Sequence, residues 1–141
     1  MKILKTKIFA FYLLTAFPAY SSQTEAPSVL RFADCFVEFM GHVEVLQISR
    51  DRGGDISFSD IEFASSRVDV MEAAFFEQVF DYDLNALRNE MEKASDRKTH
   101  RFSMLYNRST GLEDSIEKII ELFALRADDC FQEMSLYLDF Q

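Results

Sequence analysis

The residues best placed to do chemistry are a run of oxygen donors and a pair of cysteines. Between Ser49 and Asp60 (SRDRGGDISFSD), Asp51, Ser57 and Asp60 could offer side-chain oxygens to a hard cation, while Gly53 and Gly54, the only adjacent glycines, supply turns. Cys35 and Cys130 are the only cysteines, so one intramolecular disulfide can form. A zinc site needs about four ligands, and adding His42 and His100 gives no compact spacing, which sets metal–thiolate chemistry aside. Each histidine follows an acid by four residues, Glu38 and Asp96, and reads as half of a helical ion pair rather than as a general base. No phosphate-binding glycine loop, nucleophile elbow, haem-attachment cysteine pair or His-Glu zinc motif occurs, so no catalytic residue is expected.

Over its twelve residues the segment from Ser49 to Asp60 resembles the calcium loop of EF-hand proteins. In that family alternating oxygens wrap the ion, a glycine makes the sharp turn and a bidentate carboxylate closes the loop. Asp51 matches the second ligand, Gly54 the turn, Ile56 the hydrophobic anchor, Ser57 a later ligand and Asp60 the closing position. Ser49 stands where the first Asp belongs, Gly53 removes a ligand, and Asp60 is shorter than the usual Glu. The resemblance therefore implies weak Ca²⁺ binding, with a dissociation constant on the order of 10⁻⁴ to 10⁻³ M. The same residues also read as a plain connection between helices. A second stretch, Asp81 to Glu92, repeats the ligand spacing with Asp81, Asp83, Asn85, Asn89 and Glu92, but Ala86 and Arg88 occupy the turn and anchor positions and favour helix.

Four helices must position these groups. Val29, Phe32, Phe36, Phe39, Met40, Val43 and Leu46 recur at three- and four-residue steps, which predicts a first helix over 29–48 with Ser28 as its N-cap. Residues 49–58 are expected to be loop. Ser59 and Glu62 then have capping-box spacing and open a second helix, with Ile61, Ala64, Val68, Met71, Phe75 and Val79 on one face. Phe63, Val70 and Phe80 lie on an adjoining stripe of that helix, and we expect them to form an interaction face. A third, weaker helix runs from Leu84 to Leu105, with a break expected in the wholly polar stretch 95–101. Thr110 and Glu113 have capping spacing before a fourth helix whose seam includes Ile116, Ile119, Phe123, Ala127, Cys130, Met134 and Tyr137. Cys35 and Cys130 fall on or beside core stripes of the first and last helices, which are neighbours in an antiparallel four-helix bundle. The expected fold is therefore all-α: such a bundle, with its first and last helices linked by a disulfide. Around the cysteines, Leu30, Arg31, Asp34, Cys35, Phe36 and Glu38 recur at the same spacing as Leu125, Arg126, Asp129, Cys130, Phe131 and Glu133.

The first 21 residues have a different character. Lys2, Lys5 and Lys7 precede the apolar run from Ile8 to Phe17, and Pro18 stands ahead of Ala19 and Ser21, the layout of a secretory signal peptide cleaved after Ser21. Residues 22–141 are then one helical domain in a secreted or periplasmic setting, where a disulfide persists. Cleavage would remove three lysines and no acid, moving the formal charge from −9 to −12. A field of that sign repels nucleic acid and anionic membrane surfaces. Binding to another protein, without catalysis, is the expected function.

Overall fold

Four α-helices follow one another: α1 Val29–Asp51, α2 Phe58–Phe76, α3 Leu84–Arg108 and α4 Leu112–Met134. The computed structural model describes residues 26–108 and 112–140. The leader expected at 1–21 and the cap expected at Thr110 lie outside the described residues. The bundle runs up, down, up, down, with Cys35 bonded to Cys130. Helix α1 is its axis, because α2, α3 and α4 all pack against it and, among the described residues, only α3 and α4 also share a sizeable contact. No helix among the described residues is long and apolar enough to cross a membrane.

The helix ends differ from expectation for local physical reasons. Ser28 caps α1 as its spacing requires, its hydroxyl accepting from the Arg31 N–H at 3.2 Å. The helix then continues through Ser49, Arg50 and Asp51, which were expected to be loop, and stops by a Schellman arrangement. Gly53 takes φ +87°, its N–H donates to the Arg50 carbonyl at 2.9 Å, and the Gly54 N–H donates to the Ser49 carbonyl at 2.9 Å. A Cβ at Gly54 would lie 2.3 Å from the Ser49 hydroxyl, so both glycines serve the stop signal.

Helix α2 opens at Ser57, not Ser59. Ser57 and Asp60 form the capping box, and Ile56 packs with Ile61 in one apolar cluster. Those two isoleucines flank the cap as a hydrophobic staple, which fixes the chain entry one half-turn earlier than the Ser59–Glu62 pair suggests. Helix α2 also ends early, at Phe76. Its stop is a second Schellman arrangement with Gln78 at φ 52° in place of glycine. The Gln78 N–H donates to the Phe75 carbonyl at 3.3 Å and the Val79 N–H to the Ala74 carbonyl at 3.0 Å.

Helix α3 starts where Asp83 accepts from the Ala86 N–H at 2.8 Å, so the stretch from Asp81 to Glu92 is a capped helix start. The break expected at 95–101 does not occur. Arg97, Lys98 and Arg101 from that stretch bond Asp34, Glu44 and Glu38 of α1, and this ladder holds the polar turns against the bundle. After α4 the chain turns back, and Tyr137, Leu138 and Phe140 pack on the main core instead of extending the α4 seam.

That core surrounds the disulfide: Phe32, Ala33, Cys35, Phe39, Met71, Ala74, Leu87, Ala127, Cys130 and Met134 are buried together. At the other end Val45, Ile119 and Phe123 pack with Phe102 and Leu105. Gly41 makes this approach close, since a Cβ there would lie 2.5 Å from Cε1 of the buried Phe123 ring. Gly41→Ala must displace a rigid ring and should destabilise the fold by about 1–3 kcal/mol. Gln78→Gly should act in the opposite sense, stabilising by about 0.5–1 kcal/mol through relief of a left-handed residue. Urea unfolding of each variant beside the parent measures both; a neutral Gly41→Ala would mean that α4 can move outward without loss.

Candidate functional site

The crossing of α1 and α4 is fixed at Cys35–Cys130, with the two Cα atoms 5.2 Å apart. Each helix carries an arginine four residues before its cysteine and a glutamate three residues after it. On antiparallel helices that spacing sets Arg31 beside Glu133 and Arg126 beside Glu38. The first pair closes as a charge-assisted fork, the Arg31 Nε lying 3.0 and 2.9 Å from the two Glu133 oxygens while Nη2 bonds Oε2. The mutual hydrogen bonds hold the Glu133 carboxyl below its usual range and raise Arg31.

The second pair does not close, because α3 intervenes. Arg101 donates to Glu38 Oε1, and Arg126 Nη1 is left 3.7 Å from that same oxygen, beyond hydrogen-bond range. The Glu38 side chain is only 9% exposed. Its Oε2 and the Arg101 Nε are buried without a hydrogen-bond partner among the described residues. Beside these two residues opens a cleft of about 470 Å³ between α1, α3 and α4, lined by Arg31, Asp34, Glu38, Arg97, His100, Arg101, Arg126, Asp129 and Cys130. Four guanidinium groups face three carboxylates there, inside a chain of formal charge −9. Sequence reasoning missed this cleft. Its one signal was the recurrence around the cysteines, which shows two of the arginines but not the two that α3 contributes.

A second feature lies at the corner joining α2 to α3. Phe76 is 70% exposed and Leu84 67%, with Val79 and Phe75 beside them also exposed. Phe75 and Leu84 line a cavity of about 300 Å³ that reaches Phe32, Tyr82 and Leu87, and the Phe76 ring packs edge-on against Phe75 with centroids 5.2 Å apart. The expected stripe of Phe63, Val70 and Phe80 is not continuous, since α2 has ended before Phe80. Phe80 turns inward against Phe32, with ring centroids 5.7 Å apart, and against Tyr82 and Tyr137. Val70 is half-buried and Phe63 is exposed.

Phe63 instead covers Arg67. That guanidinium is buried, lies 4.9 Å from the Phe63 ring, 4.6 Å from Phe131 and 5.9 Å from Phe39, and bonds Asp128 at 2.9 Å. His42 shares this region. It makes no pair with Glu38, whose carboxylate is bonded by Arg101, and its buried Nδ1 has no hydrogen-bond partner among the described residues.

In the segment resembling a calcium loop, Asp51 is the last residue of α1, with Oδ1 3.9 Å from Arg50. The Asp60 carboxylate accepts from the Ser57 N–H at 3.0 Å and from its hydroxyl at 2.7 Å, and these bonds hold Asp60 below the usual carboxylate range. Ser57 and Asp60 are thus spent on each other in the α2 cap. Among the described residues no three His, Cys, Asp or Glu side chains gather in a way that could hold a metal ion.

No protein-family model, curated protein or solved structure matches this chain.

The setting of His42 makes stability depend on pH. Burial, then the charge of Arg67, lower its pKa from 6.5, against a smaller opposing pull from Asp128. The unfolded chain therefore takes up a proton that the folded one refuses, and stability present above about pH 6.5 is lost as pH falls toward the depressed native value. Thermal unfolding between pH 7 and 5 should show this loss, and His42→Gln should flatten it. An unchanged slope in the variant would assign the loss to other groups.

Proposed function

We propose that this is an exported binding protein that acts without catalysis, and that its partner is a protein seated on the α2–α3 corner. The observation that carries the reading is the corner cavity with the exposed Phe75 and Leu84 in its wall, the exposed Phe76 ring packed on Phe75, and the exposed Val79 close by in the chain. Single exposed apolar residues need no explanation, but a contiguous group with a cavity behind it has the form of an anchor site.

The chemistry around the anchor selects the partner. From Val68 to Leu87 the chain carries Asp69, Glu72, Glu77, Asp81 and Asp83 and no lysine or arginine. All five acids are exposed. A complementary surface presents an apolar or aromatic side chain within a basic rim. A second copy of this chain would bring acid against acid at the same patch, which disfavours self-association there. Gln78 supports the reading too. A non-glycine residue held at φ 52° lines the cavity wall, and backbone held in a sparsely populated region is over-represented where a surface must keep one shape. Export agrees with the Cys35–Cys130 bond, which an oxidising compartment maintains.

Phe76→Ser with Leu84→Ser removes the anchor from exposed positions and should leave the unfolding midpoint near that of the parent. Loss of apolar anchors of this kind weakens association by about 2 kcal/mol or more, roughly thirtyfold. The measurement is the affinity of purified parent and double variant for a species cross-linked to the parent in an envelope extract, repeated with Asp81→Lys and Asp83→Lys. Equal affinity in all three, or parent dimers that the double variant abolishes, would overturn the reading.

A further inference from the structure

We propose that the cleft between α1, α3 and α4 binds inorganic phosphate, with Arg101 and Arg126 donating to its oxygens and Glu38 accepting from its P–O–H group. The pseudo-symmetric crossing supplies an internal comparison. On one side Arg31 and Glu133 satisfy each other. On the other, Arg101 takes one oxygen of Glu38, and three groups remain with bonding capacity: Glu38 Oε2 as an acceptor, Arg101 Nε as a donor, and the guanidinium of Arg126, which is 44% exposed and 3.7 Å from its counterpart carboxylate. A buried carboxylate oxygen and a buried guanidinium N–H left unpaired are each costly, and a ligand that satisfies both recovers that free energy.

The three groups restrict the ligand. It must offer acceptors to two guanidiniums and, beside them, a donor to Glu38. Sulfate and simple carboxylates offer acceptors alone and would set oxygen against the Glu38 oxygen. A zwitterionic amine offers the donor but sets its ammonium beside the guanidiniums of Arg101 and Arg126. Inorganic phosphate carries acceptor oxygens, negative charge and, at neutral pH, at least one P–O–H. A phosphate monoester loses its last P–O–H near pH 6 and fits less well at pH 7.5. No bond is made or broken; the step is binding. Arg97, tied to Asp34, and His100 border the mouth from α3.

The test is calorimetric titration of the oxidised full chain at pH 7.5 and constant ionic strength with sodium phosphate, sodium sulfate and glycerol phosphate. Saturable binding of inorganic phosphate is expected, at least about tenfold tighter than sulfate or the monoester, the ratio that one charge-assisted hydrogen bond supplies. Glu38→Gln replaces the acceptor with an amide that can donate, so phosphate and sulfate should become equivalent. Because Glu38 is buried and its loss could unfold the protein, Arg126→Gln, at an exposed position, is the second variant. It should weaken phosphate about tenfold without shifting the unfolding midpoint in phosphate-free buffer. The Phe76→Ser, Leu84→Ser double variant should bind phosphate like the parent, which separates this site from the corner. Absence of saturation with phosphate, sulfate or the monoester binding the parent equally well, or an unchanged affinity in Arg126→Gln would overturn the proposal.

Discussion

The crossing of α1 and α4 at Cys35–Cys130 is the constraint from which the rest of the molecule is built. It closes a loop over a sequence separation of 95 residues, and in the chain-entropy picture a loop of that size contributes on the order of 4–5 kcal/mol by restricting the unfolded chain. It also fixes register. Once the cysteines are opposed on antiparallel helices, an arginine one turn before each and a glutamate just under one turn after each must come within reach of the other helix. The recurrence of Leu-Arg, Asp-Cys-Phe and Glu around both cysteines is thus the sequence form of a local two-fold axis through the disulfide. A parallel pairing would set arginine against arginine and glutamate against glutamate.

Helix α3 breaks that symmetry and leaves a charged cleft beside the cross-link. Its middle is too polar to bury an apolar stripe, so it is held through Arg97, Lys98 and Arg101, whose acid partners all lie on α1. Exposed ion pairs of this sort are individually weak. Arg101–Glu38 differs, because the carboxylate is buried and its own crossing partner, Arg126, has been displaced. The opposite flank of α1 is managed differently. There α2 sends Arg67 between Phe39, Phe63 and Phe131, where aromatic faces cover the guanidinium and Asp128 bonds Nη1, while Nε is buried without a hydrogen-bond partner among the described residues.

Helix number, the Ser28 cap, the disulfide and the pairing of first and last helices were all legible, because apolar periodicity and cysteine count are local or global properties that need no coordinates. The errors share one cause, which is that side chains distant in sequence choose among locally acceptable options. Ser57–Asp60 and Ser59–Glu62 are both valid caps, and Ile56 packing with Ile61 selects the first. Nothing local announces a helix stop at Gln78, since glycine is the usual occupant of such a position. The stretch 95–101 looks like a breaker until its cations are matched to acids on α1. Gly41, unremarked in the sequence, is where Phe123 meets the α1 backbone. The cleft was invisible for the same reason: two of its arginines belong to the recurrence, and two come from the polar stretch that seemed least structured.

The two proposed sites stand where the chain departs from locally preferred chemistry, and each departure is held by over-determined surroundings. Gln78 is kept in the left-handed region by the two hydrogen bonds of its stop motif and by Phe80, which locks into the rings of Phe32, Tyr82 and Tyr137 directly behind it. Glu38 is kept buried by Arg101 and by its position one turn from a cysteine that cannot move relative to α4. The first turns of α1 lie between them, with Phe32 facing the corner cavity while Arg31 and Asp34 face the cleft. Because that segment is covalently tied to α4 and its Phe32, Ala33 and Cys35 are buried, it separates the two sites as a rigid wall. The proposed partner at the corner and the proposed anion in the cleft would then meet surfaces set by one scaffold.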